Sequence, residues 1–269
     1  MPPTNIPLSV CVITLNEEDN IGRCLDSVQW ADDIVVVDSG SDDHTLKIAK
    51  NKGARTLEHE WEGHVKQKQF ATDQAEHEWV LSLDADEEVS DELAESIQEL
   101  FEPDPPSPDT TFEVNRLCYF LGQWIRHGSW HPDWIVRLFN RTETEWGGTD
   151  PHDRVLPANN RNRLDGHLYH YPYESIADNV RYGNYYSSIQ AQKKHQDGET
   201  GGALKAITHS GFKFFKDYIL KRGFLDGQAG LFISTVASFD VFCKYAKLWE
   251  QDQFEPYDSF DYPKGDSSS

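Results

Sequence analysis

Residues Leu8 to Thr14 (LSVCVIT) form a nearly unbroken apolar run, the pattern of a parallel strand buried on both faces. Asn16 follows as a predicted helix cap, and Ile21, Leu25 and Val28 recur at helical spacing. The cycle repeats with a strand over Ile34 to Asp38, a turn rich in Gly, Ser and Asp, a helix through Leu46 to Asn51, and a short strand over Ala54 to Leu57. A helix around Val65 to Ala75 then leads into a strand over Trp79 to Leu83 and a helix over Asp91 to Phe101. Such alternation predicts an α/β fold whose mostly parallel sheet is covered by helices.

Glu102-Pro103-Asp104-Pro105-Pro106-Ser107-Pro108 reads as a stiff connector, and a subdomain boundary is expected there. From Phe112 to Leu168 the pattern mixes short strands, such as Trp134 to Phe139, with closely spaced Trp, His and Gly, as in a site built from loops. Helical stretches follow near Ile176 to Lys194, Leu204 to Lys221 and Leu225 to Trp249, and no internal repeat is visible. The expected organisation is therefore an α/β half over 1–101, a second half of the same domain over 109–172, a helical extension over 173–252, and an acidic, disordered tail over 253–269.

Composition narrows the classes. The chain has 269 residues, 38% of them apolar, which suffices for a real core. Its 46 acidic residues against 25 basic ones give a net charge of −21, which disfavours general nucleic-acid binding and suits solubility, including in a salt-rich cytoplasm. Cys11, Cys24, Cys118 and Cys243 lack paired spacing and read as free thiols of a reducing compartment. No secretory signal is visible, and the apolar run Ala229 to Phe239 is shorter than the ~20 residues a spanning helix needs. A cytoplasmic protein is expected.

The chemistry concentrates where the apolar strand Trp79 to Leu83 empties into Asp84-Ala85-Asp86-Glu87-Glu88. Ligands bind at strand carboxyl ends in α/β sheets, and closely spaced carboxylates can share a divalent cation that holds phosphate oxygens. A second acidic strand end, Val37-Asp38-Ser39-Gly40-Ser41-Asp42-Asp43, lies one crossover earlier. Together with the opening Ser9-Val10-Cys11-Val12-Ile13-Thr14-Leu15-Asn16-Glu17, these segments resemble the inverting glycosyltransferases of family 2 in order and approximate spacing.

That resemblance, strongest over residues 7–101, implies a GT-A fold and a nucleotide-sugar donor. It puts Thr14, Leu15, Asn16 and Glu17 at the nucleobase and ribose, Asp38 on the base, Asp86 on the metal, and Asp84 on ribose or metal-bound water. Hard oxygen ligands point to Mg2+ or Mn2+ rather than zinc. Glu17 reads equally as a helix amino-terminal acid, and Asp42 and Asp43 as caps. Lys66 and Lys68 lie where relatives carry residues facing the nucleotide sugar, although solvated helix lysines fit the pattern as well.

Inversion needs a base opposite the leaving group. In Trp146-Gly147-Gly148-Thr149-Asp150-Pro151-His152-Asp153-Arg154-Val155, Asp153 is the candidate, with His152 beside it and Asp150 as competitor. Relatives that act on lipopolysaccharide core carry His-Glu here, so the shorter Asp is a departure. The competing structural role for Asp153 is a surface ion pair with Arg154 or Arg137. Gly122 to Trp134, with Trp130 and His131, and the following Arg137 suit a sugar-binding wall or, alternatively, a Trp-rich minor core. His127, His131, His152, His167 and His170 do not have the spacing of a zinc site.

Between Ala203 and Arg222 the charges are Lys205, Lys213, Lys216, Lys221 and Arg222 against Asp217 alone, among many aromatic residues. Residues 203–224 could rest on an anionic membrane or present a basic edge to solvent. The run Tyr218 to Gly227 is similar to that of family 2 enzymes that add hexoses to lipopolysaccharide inner core. The resemblance thus implies transfer of a hexose, with UDP-glucose as the expected donor, to a lipid-linked saccharide at the inner face of the cytoplasmic membrane. Rival expectations are a non-catalytic nucleotide- or carbohydrate-binding protein and a sugar nucleotidylyltransferase. The latter would need a basic glycine-rich loop where Leu15-Asn16-Glu17-Glu18-Asp19 is acidic.

Overall fold

The computed structural model describes residues 7–149, 152–157 and 160–254. They fall into two compact units, one within 1–126 and 130–172, the other within 127–129 and 173–269. The tail expected over 253–269 lies almost wholly outside the described residues.

In the first unit, β1 (Leu8–Thr14) is fully buried and pairs in parallel with β2 (Asp33–Asp38) on one side and β4 (Trp79–Asp84) on the other. β3 (Arg55–Glu58) extends this parallel block beyond β2. The sheet continues past β4 through β8 (Asp133–Asn140), β6 (Thr110–Phe120), β11 (Asn160–His170) and β5 (Glu87–Val89). β8 is antiparallel to both β4 and β6, and β7 (Gln123–Trp124) hangs on β6. Strands from both sides of the proline-rich connector therefore share one sheet. β9 (Glu145–Thr149) and β10 (His152–Leu156) form a separate antiparallel hairpin.

Side-chain alternation on β1 divides the core into two layers. Leu8, Val10 and Val12 pack with Ile21, Cys24 and Leu25 of α1 (Ile21–Asp26), Ala49 of α2 (Thr45–Asn51), and Leu93 and Ile97 of α4 (Asp91–Glu99). Cys11 and Ile13 face Ala71 of α3 (His64–Asp73) together with Trp146 and Val155 of the hairpin. Each fully buried aliphatic side chain of this kind contributes about 1.5–3 kcal/mol. At the amino-terminal end of the sheet, Ser9 Oγ donates to Asp33 at 2.6 Å and Arg55 Nε pairs with Asp33 at 2.8 Å. Burial opposes ionisation of Asp33, but these hydrogen bonds outweigh it and lower its pKa.

One expectation changes here. Asn16 does not cap α1, which begins four residues later than that role would require and follows Asn20. With φ at +54°, Asn16 instead links two loops: its Oδ1 accepts from Asp42 N–H at 3.0 Å and its N–H donates to Ser41 Oγ at 2.8 Å.

The second unit is built on helices. α5 (Ile176–Gln196) begins with Ser175, whose hydroxyl accepts from Asp178 N–H, and ends on Lys193, Lys194 and His195, which complement the helix dipole. α6 (Ala203–Phe214) runs into a π-helical turn, Phe215–Leu220, and a 3₁₀ turn, Gly223–Asp226, precedes α7 (Gly227–Gln253). Gly223 and Gly230 make the close approach there possible, since a Cβ on Gly230 would lie 1.9 Å from the Gly223 carbonyl oxygen. His127 donates its N–H to Asp226 at 2.8 Å, and Ser129 Oγ donates to Asp217 at 2.8 Å, so this short segment belongs with the helices.

By length and composition, the stretch Gly223–Gln253 could cross a membrane, which the short run Ala229 to Phe239 did not foretell. Two of its charged residues are nevertheless engaged within the unit. Lys247 Nζ donates to Asn184, Ser187 and Ser188 of α5, and Asp240 lies against Gly183.

Candidate active site

The parallel register brings three strand ends together: Thr14 is opposite Asp38, and Ile13 is opposite Asp84. The loops above β1 and β2 are laced by hydrogen bonds. Glu17 N–H donates to Thr45 Oγ1, Glu18 N–H to Asp43, and His44 N–H to Glu18. Asp43 also accepts from Thr45 N–H at the start of α2, matching its expected capping role. Glu17 accepts from Asn20 Nδ2 at 2.7 Å, Leu15 is exposed, and Thr14 is buried.

Asp38 is completely buried, and its carboxylate accepts from the Gly40 and Ser41 N–H groups at 2.9 and 2.7 Å and from Ser41 Oγ. Its carboxylate therefore shapes the turn beside the strand end.

Below the Asp84-Ala85-Asp86 turn lies a chain of alternating charges. Lys68 of α3, only 4% exposed, places Nζ 2.9 Å from Asp153 Oδ2 and 3.2 Å from Asp84 Oδ1. Arg137 of β8 places Nη2 2.7 Å from Asp84 Oδ2 and 2.6 Å from Glu87 Oε1. Arg116 of β6 continues the chain from Glu87 at 3.5 Å to Asp133 at 2.7 Å. Burial opposes ionisation of Asp84, but Lys68 and Arg137 hold it well below the usual carboxylate range. Glu87 also accepts from Asp84 N–H at 2.9 Å, which fixes the turn.

Asp86 is partly exposed and faces His170 at the end of β11, with Nε2 3.2 Å from Asp86 Oδ2. Cys118 Sγ lies 3.4 Å from His170 Nδ1. Burial works against the imidazolium, but Asp86 outweighs it and pushes the His170 pKa up to about 10. The imidazolium thus supplies positive charge where a bound cation would supply it. The Asp86 carboxylate, with partly exposed Asp84 beside it, offers hard oxygen donors that would suit a divalent ion, whereas His170 as an imidazolium would add positive charge and not a ligand. Among the described residues, no group of three or more His, Cys, Asp or Glu is gathered for a metal.

The remaining expectations divide. Asp153 and Lys68 meet, and the ion pair foreseen with Arg154 or Arg137 is replaced by the pair with Lys68; the reason is that β10 packs against α3. Lys68 is thereby a buried residue and not a solvated helix lysine, whereas Lys66 is exposed and pairs with Glu62. Asp150 and the side chain of His152 lie outside the described residues.

The tryptophans of Gly122 to Trp134 do not form one wall. Trp124 packs on Tyr119, Tyr169 and Tyr171, Trp130 on Phe120, and Trp134 under the Arg163 guanidinium. His131 stacks with His167, while His127 belongs to the second unit. Arg137 is buried in the charge chain and does not line a surface. His170 and Arg116 had no distinguishing signal in the sequence, because only strand register carries them to Asp86 and Glu87.

The family model described as "Glycosyl transferase family 2" matches residues 9–222, from the second residue of β1 to beyond β11. The chain belongs to glycosyltransferase family 2. This glycosyltransferase is 32% identical over 253 residues to an uncharacterized glycosyltransferase of Rickettsia typhi, covering 90% of this chain and 87% of that one. It is 26% identical over 253 residues to the lipopolysaccharide core biosynthesis glycosyltransferase LpsC of Rhizobium meliloti, covering 91% and 93%. Among solved structures it is similar to S. aureus TarS, at 17% identity and TM-score 0.45, over 94% of this chain and 56% of that one. It is also similar to glucosyl-3-phosphoglycerate synthase from Mycobacterium tuberculosis, solved with Mn2+ and UDP, at 21% identity and TM-score 0.35 over 42% and 44%. The fold is the GT-A type, with its mostly parallel nucleotide-binding sheet and a helical carboxyl-terminal part.

Proposed function

We propose that this family 2 enzyme transfers a hexose, with inversion, from a nucleotide diphosphate sugar to a lipid-linked saccharide of the lipopolysaccharide inner-core type, with UDP-glucose as the favoured donor. The observation that carries this reading is the Asp86–His170 pair at a strand end, directly beside the Lys68–Asp84–Arg137 charge chain. The name of the LpsC relative supports the acceptor class.

In this reading Thr14 to Glu17 and Asp38 border the nucleoside, where the laced loops hold them still before the donor arrives. Asp86 would hold a diphosphate-bound cation, Mg2+ or Mn2+, which would neutralise charge on the leaving nucleotide, with the His170 imidazolium adding positive charge beside it. Asp84 is fixed by two cations and positions the turn toward the ribose. Asp153 accepts the proton from the acceptor hydroxyl as that oxygen attacks the anomeric carbon, and His152 stands beside it on β10. Lys68 holds Asp153 in place until then. Trp130 and His131 are assigned to the acceptor or donor-sugar side.

Thermal shift with UDP, GDP and ADP, with and without Mn2+, tests the donor site. Stabilisation by UDP that requires Mn2+ and disappears in Asp86→Ala is expected, at about 2.7 kcal/mol when ligand is a hundredfold above Kd. A folded wild-type protein that responds to none of the nucleotides would overturn the donor-site assignment. Metal-dependent UDP binding with unchanged turnover in Asp153→Ala would overturn the base.

A further inference from the structure

The second unit carries a surface unlike the rest of the chain. From Ala203 to Phe239 the only acids are Asp217 and Asp226, and both are buried against Ser129 and His127. The exposed charges over that span are Lys205, Lys216, Lys221 and Arg222, in a protein whose net charge is −21. A stretch with no exposed carboxylate is a sharp departure from the overall composition.

The same stretch leaves large apolar side chains in solvent. On α6 and its π-helical turn, Leu204, Ile207, Phe212, Phe215 and Ile219 recur every three to five residues and are all exposed, Phe212 to 61%. On α7, Leu231, Phe232, Phe239 and Phe242 do the same at helical spacing, with Phe239 exposed to 50%. Between the two helices, Leu220, Phe224 and Leu225 are exposed as well. The inward sides are already used: Ala206, Tyr245 and Leu248 pack together, and Ser238 Oγ donates to the Ser210 carbonyl. Helix pairing therefore turns the apolar stripes outward, and exposure of this kind marks an interaction surface.

We infer that α6, the turns after it and the outward stripe of α7 form a monotopic seat for an anionic phospholipid surface. Aromatic and aliphatic side chains would enter the acyl boundary while Lys205, Lys216, Lys221 and Arg222 meet phosphate headgroups. Charge decides the occupant. A second copy placed face to face across this patch would oppose the same cations, in a chain already strongly self-repelling. Anionic lipid supplies the missing counter-charge for each Lys or Arg at the surface. The seat deepens the functional reading by naming the surface on which a lipid-linked acceptor would be met, but its residues are separate from the donor site.

Flotation of the full chain with vesicles of phosphatidylcholine alone, or mixed with phosphatidylglycerol, tests the inference. Binding to the mixed vesicles, weak binding to the neutral ones, and release by high salt or alkaline carbonate are expected. Lys216→Glu with Lys221→Glu should weaken binding at least tenfold, as the lost headgroup attraction implies, and Phe212→Ser with Phe239→Ser should abolish it. All positions changed are exposed, and circular dichroism with UDP-dependent thermal shift confirms the variants are folded. Asp86→Ala should bind vesicles as the wild type does, so failure of the donor site and failure of the seat are read separately. Absence of binding to anionic vesicles at low salt would overturn the seat. So would a self-association abolished by Phe239→Ser, which assigns the face to a second copy, or retention through carbonate extraction, which makes α7 a spanning helix.

Discussion

Lys68 is the residue on which the charge chain beside the strand ends turns. It is buried, it is the cation shared by Asp84 and Asp153, and its ammonium lies 5.1 Å from the Trp146 ring centroid. Replacing it by Met keeps the length but removes the cation that Asp84 and Asp153 share, leaving Arg137 on Asp84 alone. Breaking a buried pair in this way costs about 3–5 kcal/mol. Lys68→Met should therefore lower Tm by roughly 10 °C, taking about 2–4 °C per kcal/mol for a chain of this size, and should reduce kcat more than it raises the donor KM. Denaturation and steady-state kinetics check both, and an unchanged Tm would mean that the pair is dispensable. The sequence showed Lys68 as one of two lysines on a helix. Its burial could not be read there, because its partners are 16 and 85 residues away along the chain. Asp86 was legible, since two acids one residue apart after an apolar strand are a local pattern, whereas His170 reaches it only through the β5–β11 pairing that aligns His170 with Glu87.

At the level of elements, the strands were the most legible part. Seven residues of β1 and the first five of β4 were readable as apolar runs, and the observed strands agree to within a residue. Helices were legible where one face is apolar, as in α4, and the break between α6 and α7 was legible too, whereas the change from α6 to a π-helical turn at Phe215 was not. The α5–α7 pairing has its own pH dependence. Asp240 of α7 sits against Gly183 of α5, and burial raises its pKa to about 6, with Lys247 and Lys213 opposing the rise. A folded-state pKa above the unfolded value of 3.8 means that the fold favours the neutral acid. The associated stability is fully present below about pH 4 and is lost as pH rises through about 6. Asp240→Asn should accordingly be about 1 kcal/mol more stable than the parent above about pH 7, discounted for partial exposure, with the gap closing below about pH 4. Chemical denaturation across pH measures this, and a gap independent of pH would point to packing instead of titration.

At the scale of the whole molecule, the charge of −21 acts as self-repulsion that salt can screen. Between about 0.01 M and about 1 M salt the screening length falls from about 30 Å to about 3 Å, so Tm should rise by several degrees over that range. A flat or falling Tm in a salt series would show that the surface acids are already paired locally. The sequence by itself determined the α/β class, the positions of β1 to β4 along the chain and the acidic strand ends, because each is written in local periodicity and spacing. It also carried the basic, aromatic character of residues 203–224, which needs no fold to be seen. Only the tertiary structure decided that Asp153 meets Lys68, that Arg137 is a buried link between Asp84 and Glu87, and that His170 faces Asp86. These contacts depend on strand order, register and helix packing between residues far apart in the chain. They could be fixed only once the apolar faces had found their partners.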